Sequence, residues 1–199
     1  DAVSGLLEAT GWEVEREYYF NDAGKQMERL AESLAARYMQ SLGREMEIPD
    51  GGYQGDYITG WAVDLRALKG DDLSWPEESV LFREYAGSRA FELIRGDLEL
   101  LGIEFDRYFA ESELIPEAVN SAVKMLRERD LVYNDPENNV KLWLKLSEMG
   151  RPEDRVIIRD DGTCTYRMPD IAYHLDKFSR GYDLIVDIFG SDHIDTCKD

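Results

Sequence analysis

The stretch Asp154 to His193, DRVIIRDDGTCTYRMPDIAYHLDKFSRGYDLIVDIFGSDH, decides the fold class. Arg155 to Arg159 and Cys164 to Arg167 bracket Asp160-Asp161-Gly162-Thr163, a tight-turn sequence. Ile171 to Phe178 reads as helix. Asp183 to Phe189 (DLIVDIF) is an apolar run of the kind that fills a buried parallel strand, and it stops at Gly190-Ser191-Asp192-His193. A strand, a helix and a second buried strand in succession predict an α/β fold.

Moving towards the N-terminus, Leu131-Val132-Tyr133 and Val140 to Leu144 flank the polar segment Asn134 to Asn139, which predicts a hairpin. Leu114, Ala118, Ala122, Met125 and Leu126 put one apolar face on a helix ending near Asp130. Ile103 to Phe109 reads as a strand. A long helix is expected from Glu77 to Leu101, capped by Ser74, with Pro76 early in its first turn and with Gly87 and Gly96 weakening it. Tyr57 to Leu68 reads as another helix. The segment 44–56 is a loop broken by Pro49, Gly51, Gly52 and Gly55. Ala23 to Leu42 carries Met27, Leu30, Leu34 and Tyr38 at helical spacing, and Trp12 to Phe20 alternates like a strand. Val3 to Thr10 is a helix stopped by Gly11. The ends are α/β and the middle is helical, as expected of an α/β core interrupted by a large insertion.

Composition narrows the function. Of 199 residues, 23 are Lys or Arg and 42 are Asp or Glu, a formal charge of −19. Such a chain repels a phosphate backbone and favours a cationic ligand, so weak or no nucleic-acid binding is expected of it. No apolar run approaches the ~20 residues that span a bilayer. The N-terminal DAVSGLLEAT has neither an initiator Met nor a basic signal region, and the chain reads as the middle of something longer. Cys164 and Cys197 lie far apart without a C-x-x-C, which fits reduced cytoplasmic thiols and no metal site. There is no internal repeat, no phosphate loop and no G-x-G-x-x-G after a strand.

Tyr166 and Asp170 stand out. A four-residue spacing across a strand-to-helix junction can bring both side chains to one pocket mouth, where open α/β sheets hold ligands. A carboxylate and a phenol together suit a cation, best of all a guanidinium. Equally, Asp170 can cap the helix while Tyr166 packs. His193, after the apolar run, is either a ligand contact or the start of a helix. His174 reads as a surface or structural residue, and Asn21-Asp22 as a cap or a further contributor to the same cleft.

The segments REYYFNDAGKQMERLAESLAARY (Arg16 to Tyr38), GYQGDYI (Gly52 to Ile58), LGIEFDRYFAES (Leu101 to Ser112), Leu131 to Gly150 and Asp154 to His193 together resemble bacterial-type arginyl-tRNA synthetases, in order and over essentially the whole chain. The resemblance implies the Rossmann-like parallel-sheet catalytic core of class I aminoacyl-tRNA synthetases, interrupted by a largely helical connective insertion. Residues 1–43 and 154–199 would form the two parts of the core and 44–153 the insertion. It implies ATP-dependent activation of L-arginine, with Mg, followed by transfer to tRNA. Tyr166 and Asp170 would line the arginine pocket, with Asp170 facing the guanidinium and His193 nearby. No catalytic residue is carried over, because H-x-G-H and K-M-S-K-S are absent from the 199 residues. They are expected before Asp1 and beyond Asp199, so the segment alone is expected to be inactive. The run Ile194 to Cys197 departs from the family's pattern. The competing readings are an acidic helical interaction module without catalysis, and a class I synthetase-like enzyme of another specificity.

Overall fold

Met27, Leu30, Leu34 and Tyr38 recur on one side of a helix, and that stripe organises the first of two compact units. The computed structural model describes residues 1–22 and 24–191, and the chain divides into Asp1–Ala110 and Glu111–Asp199.

In the first unit, helix α1 (Ala2–Ala9) is followed by strand β1 (Glu17–Phe20) and helices α2 (Gly24–Ser41), α3 (Asp56–Lys69) and α4 (Ser79–Leu100). Strand β2 (Arg107–Ala110) closes the unit and pairs parallel with β1, Glu17 opposite Arg107 and Phe20 opposite Ala110. Both strands are shorter than their sequences predict. The main-chain N–H of Arg16 donates to the Asp106 carboxylate at 2.7 Å, and the Asp106 N–H donates to the Arg16 carbonyl at 2.9 Å. Upstream of that clasp, neither stretch has a strand beside it among the described residues, so apolar alternation alone does not extend the ladder.

Helices α2, α3 and α4 share one apolar core. Leu34, Ala35, Tyr38, Ile58, Leu65, Phe82 and Ala86 are all fully buried in it. The Tyr38 ring meets Phe82 edge-on at 5.5 Å, and its hydroxyl donates to the Gly70 carbonyl. Gly87, which weakens α4 by propensity, earns its position by packing: a Cβ there would sit 3.0 Å from the Met27 methyl. The expected cap on α4 is different. The N-cap is Glu78, and Pro76 precedes the helix. Ser74 instead donates through both N–H and hydroxyl to the Glu78 carboxylate, at 2.7 and 2.8 Å, which holds that carboxyl below its ordinary range. The 44–56 loop is tied to α2 by the buried Ser33, whose hydroxyl donates to the Arg29 carbonyl and accepts the Tyr53 N–H at 2.9 Å.

The second unit starts with a 3-10 turn (Glu111–Leu114) and helix α5 (Glu117–Glu128). Strands β3 (Val132–Asn134), β4 (Leu142–Leu144) and β5 (Arg155–Ile158) form an antiparallel sheet in that order, the first two as the expected hairpin. Asp135 organises the hairpin turn, accepting the Trp143 indole N–H at 3.0 Å and the Glu137 N–H at 2.9 Å. Helix α6 (Arg167–Ser179) packs on α5 and β5, with Met168 and Ala172 buried among Leu114, Val119, Ala122 and Ile157.

The run Asp183 to Phe189 is not a buried parallel strand. No strand ladder among the described residues includes it, and Leu184, Val186, Ile188 and Phe189 are 48%, 50%, 69% and 52% exposed. Its composition suits a strand, but a parallel strand exists only with a neighbour to complete its hydrogen bonds. The fold is therefore mixed α/β, with its parallel pairing in β1 and β2. No described helix is long and apolar enough to cross a membrane.

Candidate functional site at the start of α6

The residues singled out by spacing converge on the passage from β5 into α6. Asp161 tightens the turn by accepting the Thr163 N–H and hydroxyl at 2.9 and 2.6 Å, which pulls its carboxyl below its ordinary range. Gly162 takes the left-handed backbone that this reversal requires, at φ 83°. Cys164 then bridges to Ile158, and burial pushes its thiol pKa up. Thr165 fastens the junction: its N–H donates to the Ile157 carbonyl at 2.9 Å and its hydroxyl to the Val156 carbonyl at 3.0 Å. From this anchored residue the chain turns directly into helix.

Tyr166 is the N-cap residue of α6 and already has helical φ and ψ. The Asp170 N–H donates to its carbonyl at 3.3 Å, so the two residues stand one turn apart on one helix face, about 6 Å along the axis. The capping alternative for Asp170 does not hold, because the helix begins at Arg167 and Asp170 lies within its first turn. Nor is Tyr166 packed away: it is 57% exposed. The Arg167 guanidinium lies over the Tyr166 ring, 4.7 Å from its centre. Asp170 is half-buried, at the end of the helix where the backbone dipole favours negative charge. The pair offers a carboxylate acceptor, a phenolic hydroxyl and an aromatic face, a set suited to a planar cation.

His193 and Cys197 lie outside the described residues. Asn21 and Asp22 follow β1 in the first unit. His174 is partly exposed, with its Nε2 3.8 Å from the Asp187 carboxylate. Burial, chiefly, and then the nearby Lys177 push its imidazole pKa down, while Asp187 opposes them. Sequence reasoning missed Lys177 and Asp187 altogether. Lys177 is buried, pairs with the Asp187 carboxylate, and lies 4.5 Å from the Tyr173 ring centre. The available signal was Asp187 itself, a charge in the middle of an otherwise apolar run. Among the described residues no group of three or more His, Cys, Asp or Glu side chains is placed to hold a metal ion.

No protein-family model matches the chain. Individual relatives do. An arginine–tRNA ligase of Desulfotalea psychrophila is 44% identical over 200 residues, matching 100% of this chain and 36% of the relative. One of Thermotoga maritima is 46% identical over 198 residues, matching 97% of this chain and 36% of the relative. A Campylobacter jejuni crystal structure described as an arginyl-tRNA synthetase superposes with a TM-score of 0.88 at 34% identity, over 96% of this chain and 42% of that one. The α/β segment with its helix-borne carboxylate is thus similar to part of the aminoacyl-tRNA synthetases. Within that class it is homologous, along its whole length, to the arginyl-tRNA synthetases, and it spans about a third of the length of these curated relatives.

Proposed function

We propose that the chain is a catalytic-domain segment of an arginine–tRNA ligase, and that Tyr166 and Asp170 bind the side chain of L-arginine. The observation that carries this reading is the placement of both residues on one turn at the start of α6, within a chain homologous to these enzymes from end to end. Asp170 accepts the guanidinium through both carboxylate oxygens, a planar pairing that an ammonium cannot reproduce. Tyr166 covers the guanidinium with its ring or binds the substrate through its hydroxyl. His193 is the proposed third contact. The intact enzyme would join arginine to ATP, with Mg, and pass the arginyl group to its tRNA in the cytoplasm.

Neither H-x-G-H nor K-M-S-K-S occurs in the 199 residues, and no ATP-binding or Mg-binding residue is assigned among them. The role assigned to Tyr166 and Asp170 is to select and hold the amino acid. The strong negative charge fits that task and suits a tRNA backbone poorly. We assign 1–43 and 154–199 to a Rossmann-like core and 44–153 to the connective insertion by their order along the chain. The parallel β1–β2 pair is the kind of pairing such a core uses, but β2 (Arg107–Ala110) lies within 44–153, so the pair ties the first part of the proposed core to the segment assigned to the insertion. The proposed boundary after residue 43 does not coincide with a packing boundary, because α2 shares its core with α3 and α4.

Asp170→Ala in the full-length enzyme removes a charge-assisted pair worth roughly 1.5–3 kcal/mol, so the KM for arginine rises about ten- to a hundredfold. An unchanged arginine KM refutes the role of Asp170. The 199-residue chain alone gives only background ATP–pyrophosphate exchange, and exchange above background overturns the assignment of ATP binding to other residues.

A further inference from the structure

Arg167 is the first residue of α6, and it stands beside both members of the proposed arginine pocket. Its guanidinium lies over the Tyr166 ring, 4.7 Å from the centre. On a helix, residues three and four apart are surface neighbours, with Cβ atoms about 5–6 Å from one another. Asp170 is i+3 from Arg167 and i+4 from Tyr166, so it sits one turn above the pair and between them. Helical side chains lean towards the N-terminus, which carries the Asp170 carboxylate towards the Tyr166–Arg167 contact. A carboxylate, an aromatic face and a guanidinium are thus gathered within one turn, and that guanidinium belongs to the chain itself.

Helix formation does not account for a cation at this position. The first turn favours anions, and a positive charge there opposes the backbone dipole. Propensity does not call for arginine either, since glutamine serves a helix about equally well. Nor is Arg167 idle surface: it is half-buried, while the Tyr166 ring that it covers is 57% exposed. A cation on an exposed ring face is a contact of modest strength, weak enough for a better-paired guanidinium to replace. The side chain of L-arginine ends in the same group and adds planar pairing with Asp170. Two guanidinium groups cannot lie on the same face of one ring at once.

We infer that Arg167 is a built-in competitor for the guanidinium subsite: in the ligand-free chain its own guanidinium covers the Tyr166 ring, and L-arginine binds by displacing it. This rests on the reading of Tyr166 and Asp170 as the arginine pocket. No covalent bond is made or broken. The Arg167 side chain rotates aside, and the fraction of molecules in which the ring is uncovered sets the apparent affinity.

The test is calorimetry of L-arginine binding to the full-length enzyme. Arg167→Gln keeps the helix propensity and removes the competitor, so the dissociation constant for arginine falls about three- to sixfold, the factor by which a contact of this strength depletes the uncovered population. The gain persists at about 0.5 M salt, where repulsion between charges not in contact is screened. In the wild-type enzyme, saturation with arginine returns the Arg167 side-chain proton resonances, displaced by the Tyr166 ring, towards their free positions. Unchanged or weaker binding in Arg167→Gln, beside weakened binding in Asp170→Ala, overturns the inference and leaves the pocket standing. A gain that vanishes in high salt overturns it as well, because Arg167 then acts only as a distant like charge. Arg167 resonances that stay in place while arginine binds have the same consequence. If Asp170→Ala binds arginine as tightly as wild type, pocket and competitor fall together.

Discussion

Thr165 joins the sheet of the second unit to the helix that carries the candidate site, and its hydroxyl can be deleted with little change of shape. In Thr165→Val the branched side chain keeps its form, while the 3.0 Å bond to the Val156 carbonyl and the longer 3.4 Å approach to the Ile157 carbonyl disappear. The Ile157 carbonyl already accepts the Thr165 N–H at 2.9 Å, so the loss is in effect one neutral hydrogen bond at a half-buried position. That bond is worth about 1 kcal/mol, which corresponds to about fivefold more frequent opening of the first turn of α6. Native-state hydrogen exchange at the amides of Asp170 to Ala172 reads this directly. Exchange there accelerates about fivefold in Thr165→Val and by less than twofold in Thr165→Ser, which keeps the hydroxyl. The amides of α2, in the other unit, do not change. Equal exchange in Thr165→Val and wild type refutes the reasoning, because it means the hydroxyl gains nothing over bonding to water.

Two further perturbations follow from the same geometry. A Cβ on Gly52 would lie 2.7 Å from the Pro49 carbonyl and 2.8 Å from the Ser33 hydroxyl. Gly52→Ala therefore costs about 1–3 kcal/mol by overpacking and lowers the urea midpoint, whereas an unchanged midpoint means the loop relaxes freely. His174 binds its proton less readily in the folded chain than at its ordinary pKa of 6.5. Its contribution to stability is therefore present above that pH and is lost as pH falls through the lower folded value. Urea midpoints at pH 7.5 and pH 5 show that loss in wild type and a smaller one in His174→Gln; an identical drop in both assigns it to other groups.

Helix positions were legible because a stripe such as Met27, Leu30, Leu34 and Tyr38 states both the element and its buried face. The β3–β4 hairpin was legible because its polar turn is local to the strands it joins. What failed was non-local. Ser74 looks like a cap by residue type, yet it spends its donors on Glu78, four residues on. Asp183 to Phe189 has the composition of a buried strand, but whether such a run becomes one depends on neighbours that its own residues do not encode. The β1–β2 pairing joins segments about ninety residues apart, and periodicity says nothing about which strands meet.

The candidate site divides along the same line, and this bears on how far net charge can be read as function. The sequence places Tyr166 at the end of a strand and Asp170 at the start of the next helix, whereas in the structure α6 already begins at Arg167 and both residues share its first turn, because Thr165 ends the sheet pairing one residue earlier. The Lys177–Asp187 pair was not legible at all, since it depends on the reversal at Gly181. The −19 formal charge anticipates a cationic ligand for the chain as a whole, but a field spread over 42 carboxylates only raises the rate of encounter. Discrimination between arginine and lysine needs a carboxylate held in one orientation beside an aromatic face. In the proposed pocket that arrangement is the work of Thr165 and the first turn of α6. Charge-neutralising substitutions on exposed carboxylates far from α6 therefore slow arginine association at low salt and leave its selectivity over lysine unchanged, whereas Asp170→Asn abolishes the selectivity at any ionic strength.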